Sequence, residues 1–279
     1  MISSFRPAPA LRPFVKFYYQ VDATLGSVGI HQPVPARSPE ILEFMFARHY
    51  VVERLHRGTT TESYASALVG AKTHRHVNLC LRGRVDAFTI AFRPGGIAAL
   101  FGVPSRELID LDFDACDVFG GEIQSLRGQL GEQRGITERA SIADQFLCAR
   151  IPDRVHGSAA LAAAREIHGC NGSIQIAQLA GQSGLGIRQF ERRFRQEIGL
   201  APKLYACIVR FEAALRLKSA QPVRRWSDIA NALGYFDQMH MIHDFRRLSD
   251  ATPTAIGDQL DMFVLPEVES LQHWFAPGK

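Results

Sequence analysis

No run of apolar residues in this 279-residue chain approaches the roughly 18 that a membrane-spanning helix requires. Nor does the start, Met1 to Pro7, show a charged stretch followed by an apolar one, so no export signal is expected. Cysteine is scarce and unpatterned: Cys80, Cys116, Cys148, Cys170 and Cys207 are odd in number, widely spaced and without a C-x-x-C pair. That excludes a disulfide framework and predicts a reducing, cytoplasmic setting with no membrane partner. A Gly-rich phosphate loop, Ser-x-x-Lys and G-x-S-x-G are all missing, and Glu40 and Glu43 would point to opposite faces of a strand. No residue set for enzyme chemistry remains, and catalytic residues are assigned as none.

Net charge is also lacking outside one region. Between Ser173 and Leu260 there are 12 Lys and Arg against 8 Asp and Glu, so the net charge of +4 sits there and the rest of the chain is balanced. A basic module on a neutral body suits a polyanionic partner, because counterions leave the phosphates when it binds.

That basic region says the same thing twice. Ile176, Leu179-Ala180, Gly184-Leu185, Phe190, Phe194 and Pro202 are repeated as Trp226, Ile229-Ala230, Gly234-Tyr235, Met241, Phe245 and Pro253. The period is 50 and becomes 51 through one extra residue after the glycine. Each copy predicts a short helix, a glycine turn and a second amphipathic helix whose i, i+4 apolar pair turns back on the first. In copy one the outward residues are Arg188, Gln189, Arg192, Arg193 and Arg195. In copy two they are Gln238, Met239, His240, His243, Arg246 and Arg247. These are side chains that bond base edges and phosphates in a major groove. Arg188 and Arg192 are expected to read bases and Arg195 to hold phosphate; on the second helix, Arg246 and Arg247 are expected nearer phosphate.

Residues Ile229 to Gln238, Asp244-Phe245-Arg246-Arg247 and Thr252-Pro253 resemble the signature of the AraC/XylS family of bacterial transcription regulators. The resemblance implies two helix-turn-helix units joined by a linker helix, here Pro202 to Ser219 with Leu204, Ile208, Phe211 and Leu215 on one face. Asp250 stands where the family usually has a glycine, and His243 where it often has an arginine.

The N-terminal half alternates short apolar runs with Gly and Pro. Phe14–Val21, Ile41–Phe46, Ala67–Val69, Val77–Leu81 and Ala87–Phe92 read as strands, which predicts a small barrel or sandwich. The turn Arg93-Pro94-Gly95-Gly96 leads into a short helix expected to lay Leu100 and Phe101 back on the sheet. Phe92 to Pro104 is similar to the motif closing the degenerate cupin-like sensory domain of some AraC-type regulators. Two amphipathic helices follow, one with Phe119, Ile123, Leu126 and Leu130, the other with Ile142, Phe146, Leu147 and Ile151. Two uses of those stripes stay open: capping their own barrel, or the dimer interface that the family resemblance implies. Ser158 to Cys170 reads as the first helix of the DNA-binding domain, after the linker Ile151–Gly157.

The expected organisation is therefore α+β: residues 1–152 a sensor or dimerisation domain, 153–260 a DNA-binding domain, and 261–279 an apolar tail. His74 and His76 share a strand face with Cys80 in this reading, as a cupin metal pair would. The glutamate and later histidine that complete such a set are missing, so no metal and no cofactor is assigned. The expected function is sequence-specific regulation of transcription by binding double-stranded DNA. A small effector on the N-terminal domain, RNA polymerase for an activator, and a homodimer are the further partners, with the protein in the cytoplasm on the nucleoid. Two other readings stay in play: a metal-binding cupin enzyme or sensor with a DNA-binding module, and a regulator without a small ligand.

Overall fold

The computed structural model describes residues 2–26, 29–47, 49–56, 58–153 and 157–257. The apolar tail after Leu260 and residues 154–156 of the expected linker lie outside them. The chain forms two compact units. One comprises the described residues of 1–33, 39–71 and 76–155; the other those from 157 onward together with Val34–Ser38 and Lys72–Arg75.

The first unit is built on two antiparallel sheets. Its strands are β1 (Ile2–Phe5), β2 (Val15–Thr24), β3 (Ile30–Val34), β4 (Ile41–Met45), β5 (Val51–Arg54), β6 (Thr59–Glu62), β7 (Ser66–Val69), β8 (Val77–Leu81), β9 (Arg84–Phe92) and β10 (Asp112–Asp114). The larger sheet runs β1-β2-β9-β4-β7-β10, the smaller β3-β8-β5-β6. Central strand β9 pairs antiparallel with β2, setting Tyr18 opposite Ile90, and with β4, setting Phe44 opposite Phe88. After Arg93 the chain reverses: Gly95 has φ 74°, and a Cβ on Gly96 would lie 2.2 Å from the Phe14 carbonyl oxygen. Only glycine fits there. Helix α1 (Gly96–Phe101) then buries Ile97 and Leu100, and Phe101 meets Phe92 edge-on at 6.2 Å, as the sequence implied.

Helices α2 (Ala115–Phe119), α3 (Gly121–Glu132) and α4 (Ile136–Cys148) follow. Ile123, Leu126, Leu130 and Leu147 join Leu42, Phe44, Leu68 and Phe88 in one core, with Phe119, Ile142 and Phe146 packed against it. The apolar stripes of these helices are thus covered by their own sheet. Arg139 on α4 is 1% exposed and donates to both oxygens of Asp86 on β9, at 2.7 and 3.3 Å. Its Nε donates to the carbonyls of Leu130 and Gln133, and its guanidinium lies 4.1 Å from the Phe46 ring centre. A charge-assisted fork therefore pins the helical hairpin to the sheet.

The second unit holds α5 (Ala159–Gly169), α6 (Ile176–Gln182), α7 (Ile187–Ile198), α8 (Pro202–Ala220), α9 (Trp226–Ala232), α10 (Gln238–Ser249) and α11 (Pro253–Gly257). Ser158 caps α5 by accepting from Leu161 N–H. Helix α8 matches the expected linker helix within a residue and is buried nearly all round, from Tyr205 to Val209 and again at Phe211 and Ala213 to Leu215. Within the same unit, the Ser38 N–H and hydroxyl donate to the Glu212 carboxylate at 2.6 and 2.8 Å.

One placement departs from the sequence reading. Strand β8 begins at Val77, so His74 and His76 precede it instead of sharing a strand face with Cys80; His76 Nε2 lies 2.8 Å from Asp110 Oδ1. Strands β1, β3, β5, β6 and β10 were not named from the sequence; for β6 the reason is that Thr59 to Glu62 is polar and exposed throughout, as suits an edge strand.

Candidate nucleic-acid interface

The repeat in the sequence is a repeat of hydrogen bonds. In the turn after α6, Ser183 N–H donates to Leu179 O, Gly184 N–H to Gly181 O and Leu185 N–H to Ala180 O. After α9, Leu233 N–H donates to Ile229 O, Gly234 N–H to Asn231 O and Tyr235 N–H to Ala230 O, each 50 residues on. Gly184 and Gly234 take φ 63° and 68°, the left-handed conformation that ends a helix. Beyond the extra residue Phe236 the offset is 51, so Ile187–Ile198 and Gln238–Ser249 correspond position by position.

Both second helices are anchored on α8. Phe194 packs edge-on against Tyr205 at 5.6 Å, and Phe245 against Phe211 at 4.8 Å and Trp226 at 5.4 Å. Tyr205 and Phe211 are six residues apart, about 9 Å along one rigid helix. The inward faces are Phe190, Phe194 and Ile198 in α7, and Met241, Asp244, Phe245, Leu248 and Ser249 in α10.

Every residue named from the sequence for base or phosphate contact lies on the opposite, exposed face: Arg188, Gln189, Arg192 and Arg195 on α7, and Gln238, Met239, His240, His243, Arg246 and Arg247 on α10. Arg193 is exposed beside them. Helix α7 concentrates positive charge, because Arg188, Arg192 and Arg195 follow the i, i+4, i+7 line away from its apolar stripe. Helix α10 is organised differently. Asp237 caps it by accepting from His240 N–H at 2.7 Å. Asp244, at the position equivalent to Arg193, is only 6% exposed and lies 3.7 Å from His240 Nε2 and 3.8 Å from Arg247 Nη2.

Arg247 also donates to Cys207 Sγ on α8 at 3.0 Å. Burial, reinforced by Asp244, pushes the Cys207 thiol up to about 12, so it stays protonated beside that pair. Arg247 and His240 are thus drawn toward Asp244, whereas Gln238, Met239, His243 and Arg246 point outward with no such tie. Two residues escaped the sequence reading. Ile187, half exposed, opens α7, and Phe236, 92% exposed, lies just before α10 and close in sequence to Met239, itself 66% exposed. The signal for Phe236 was present, since it is the residue that breaks the 50-residue period.

One side-chain cluster and one buried carboxyl bear on metals or protons. Cys80, His31 and Glu53 bring one thiol, one imidazole and one carboxylate together in the smaller sheet. Glu40, just before β4, is buried, and that burial raises its carboxyl from 4.5 to about 7.

Residues 179–259 match the family model of a helix-turn-helix domain, and residues 3–114 match that of a domain of unknown function (DUF6597). No curated protein matches the chain. Among solved structures, ToxT from Vibrio cholerae O395 superposes with a TM-score of 0.51 at 9% identity, covering 87% of this chain and 98% of that one. An apo lysine-to-alanine variant of ToxT from Vibrio cholerae strain SCE256 gives 0.52 at 10% identity, covering 91% and 99%. At such identities the likeness is one of fold, a strand-rich N-terminal domain followed by a helical C-terminal one.

Proposed function

We propose that this chain, whose C-terminal segment is a helix-turn-helix domain of the AraC type, regulates transcription by reading a DNA site with both of its second helices. The observation that carries the reading is the duplicated turn, hydrogen bond for hydrogen bond, with two outward polar helices anchored to one buried helix. Two such helices fit successive major-groove faces about one helical turn apart. Arg188 and Arg192 read bases, Arg195 and Arg246 hold phosphate, and Gln189, Gln238, Met239, His240 and His243 line the groove. Arg247 acts mainly through Asp244 and Cys207.

The strand-rich domain carries the regulatory input, a small effector, and shifts the population of DNA-competent protein. The reading assigns no enzymatic step, places the protein in the cytoplasm on the nucleoid, and adds RNA polymerase as partner if the protein activates. Among the described residues no helix is long and apolar enough to cross a membrane.

Selection of random duplex DNA by the full-length protein tests this. Enrichment of one motif with two elements about a helical turn apart supports it, and Arg188→Ala then relaxes one position. Absence of any enriched motif, in a protein whose circular dichroism shows it folded, counts against sequence-specific binding.

A further inference from the structure

Cys80, Glu53 and His31 come from three neighbouring strands of the smaller sheet, β8 in the middle, β5 on one side and β3 on the other. In the β5–β8 register Glu53 stands opposite Asn78 and Val51 opposite Cys80, so Glu53 and Cys80 are diagonal neighbours on one face. His31 Nδ1 lies 3.3 Å from Cys80 Sγ and 3.8 Å from Glu53 Oε1. All three donor atoms fall within 4.8 Å of one another.

The 3.3 Å between His31 Nδ1 and Cys80 Sγ is within reach of a thiol hydrogen bond, whereas the His31–Glu53 separation is too long for one. An imidazole hydrogen-bonded to a carboxylate would sit at about 2.8 Å, well short of 3.8 Å. The edges of a tetrahedron drawn around zinc with its usual nitrogen, oxygen and sulfur bond lengths are about 3.4 to 3.6 Å, within a few tenths of both observed distances. Asn78 Nδ2, 3.4 Å from Glu53 Oε2, holds the carboxylate's other oxygen and leaves Oε1 turned to His31. Burial is graded, with Cys80 buried, Glu53 partly covered and His31 exposed, so the side facing solvent is open.

We propose that His31 Nδ1, Glu53 and Cys80 Sγ form a three-ligand site for a zinc-class divalent cation, with water in the fourth position. The mixed nitrogen, sulfur and oxygen donors select against magnesium and calcium, which take oxygen. On binding, the Cys80 thiol gives its proton to solvent and one S–metal bond forms; the thiolate and carboxylate neutralise the two positive charges. The cation ties edge strand β3 to β8 and β5. The site belongs to the first unit and its argument does not depend on the DNA-binding reading.

The test uses the purified full-length protein, titrated with Zn(II) against a chromophoric chelator and, separately, with Co(II). One equivalent of zinc and a thiolate-to-cobalt charge-transfer band in the near ultraviolet are expected. Cys80→Ser removes the band. His31→Gln, at an exposed position that leaves circular dichroism unchanged, weakens zinc by more than the roughly 10–100-fold of an outer-shell change. His76→Ala, a control on the neighbouring imidazole, leaves both signals intact. Absence of zinc binding overturns the site. So does a band that survives Cys80→Ser, which would place the metal on another cysteine, or zinc binding unchanged in His31→Gln.

Discussion

Asp250 and Gly199 occupy equivalent positions at the ends of α10 and α7, and both are left-handed, with φ 57° and 85°. The Asp250 N–H donates to Arg246 O at 2.9 Å and the Gly199 N–H to Arg195 O at 3.0 Å. The aspartate therefore gives α10 the same helix stop that glycine gives α7.

Asp250 holds that conformation against steric strain, and its carboxylate faces the negative end of the helix dipole. Asp250→Gly is expected to raise stability by about 1 kcal/mol, read as a higher thermal midpoint with DNA affinity unchanged. Gly199→Ala should destabilise by a similar amount.

Arg188 and Arg247 should separate in DNA binding. Arg188→Ala is expected to cost about 1 to 3 kcal/mol and relax specificity at one base position. Arg247→Ala should weaken binding evenly across sequences while also lowering the melting temperature, since it leaves buried Asp244 without its nearby guanidinium. Equilibrium binding to a matched and a singly mismatched duplex, paired with thermal unfolding, distinguishes the two.

Phe236 and Met239 present apolar surface at the start of α10, where a thymine methyl or a sugar would meet it. Phe236→Ala should leave folding stability within about 0.5 kcal/mol, as at other exposed positions, and weaken DNA binding several-fold. An unchanged dissociation constant removes Phe236 from the interface.

Asp86→Ala leaves the Arg139 guanidinium buried without its carboxylate and should destabilise the first unit by about 3 to 5 kcal/mol. Replacing the pair together, Asp86→Leu with Arg139→Met, should recover much of that loss in urea denaturation. A single variant as stable as the parent would show that the fork contributes nothing.

Glu40 gives a pH dependence of definite sign. Its folded value near 7 exceeds the unfolded 4.5, so the folded state binds the proton more tightly. The contribution is greatest below 4.5 and is lost as the pH rises through 7, beyond which the carboxylate's burial acts in full. Glu40→Gln should therefore exceed the parent in stability at about pH 8, by on the order of 3 kcal/mol. The gap should close in acid. Urea midpoints at the two pH values check it.

The helical half was legible because its determinants are local. A glycine four residues after an alanine, a Phe at i and i+4, and a proline opening the next helix fix each turn within a dozen residues, and duplication made the pattern visible. In the strand half, Val77–Leu81 was found because Gly83 punctuates its end, although His74 and His76 were expected on the same strand and precede it. Thr59–Glu62 was not, because an exposed polar edge strand lacks the apolar alternation that marks a half-buried one, and the four-residue Val51–Arg54 beside it is too short to show it.

By itself the sequence determined the two helix-turn-helix units, the linker helix between them and which helix faces turn outward, because a 3.6-residue period assigns inside and outside within one element. Only the tertiary structure decided what became of polar residues that owe their surroundings to distant chain. Arg193 and Asp244 share a helix position, yet one is exposed and the other is buried near Cys207 and Arg247. Asp86 meets Arg139 across 53 residues, and His31 meets Cys80 across 49. Those meetings follow from strand order and helix docking, and no spacing along the chain encodes them.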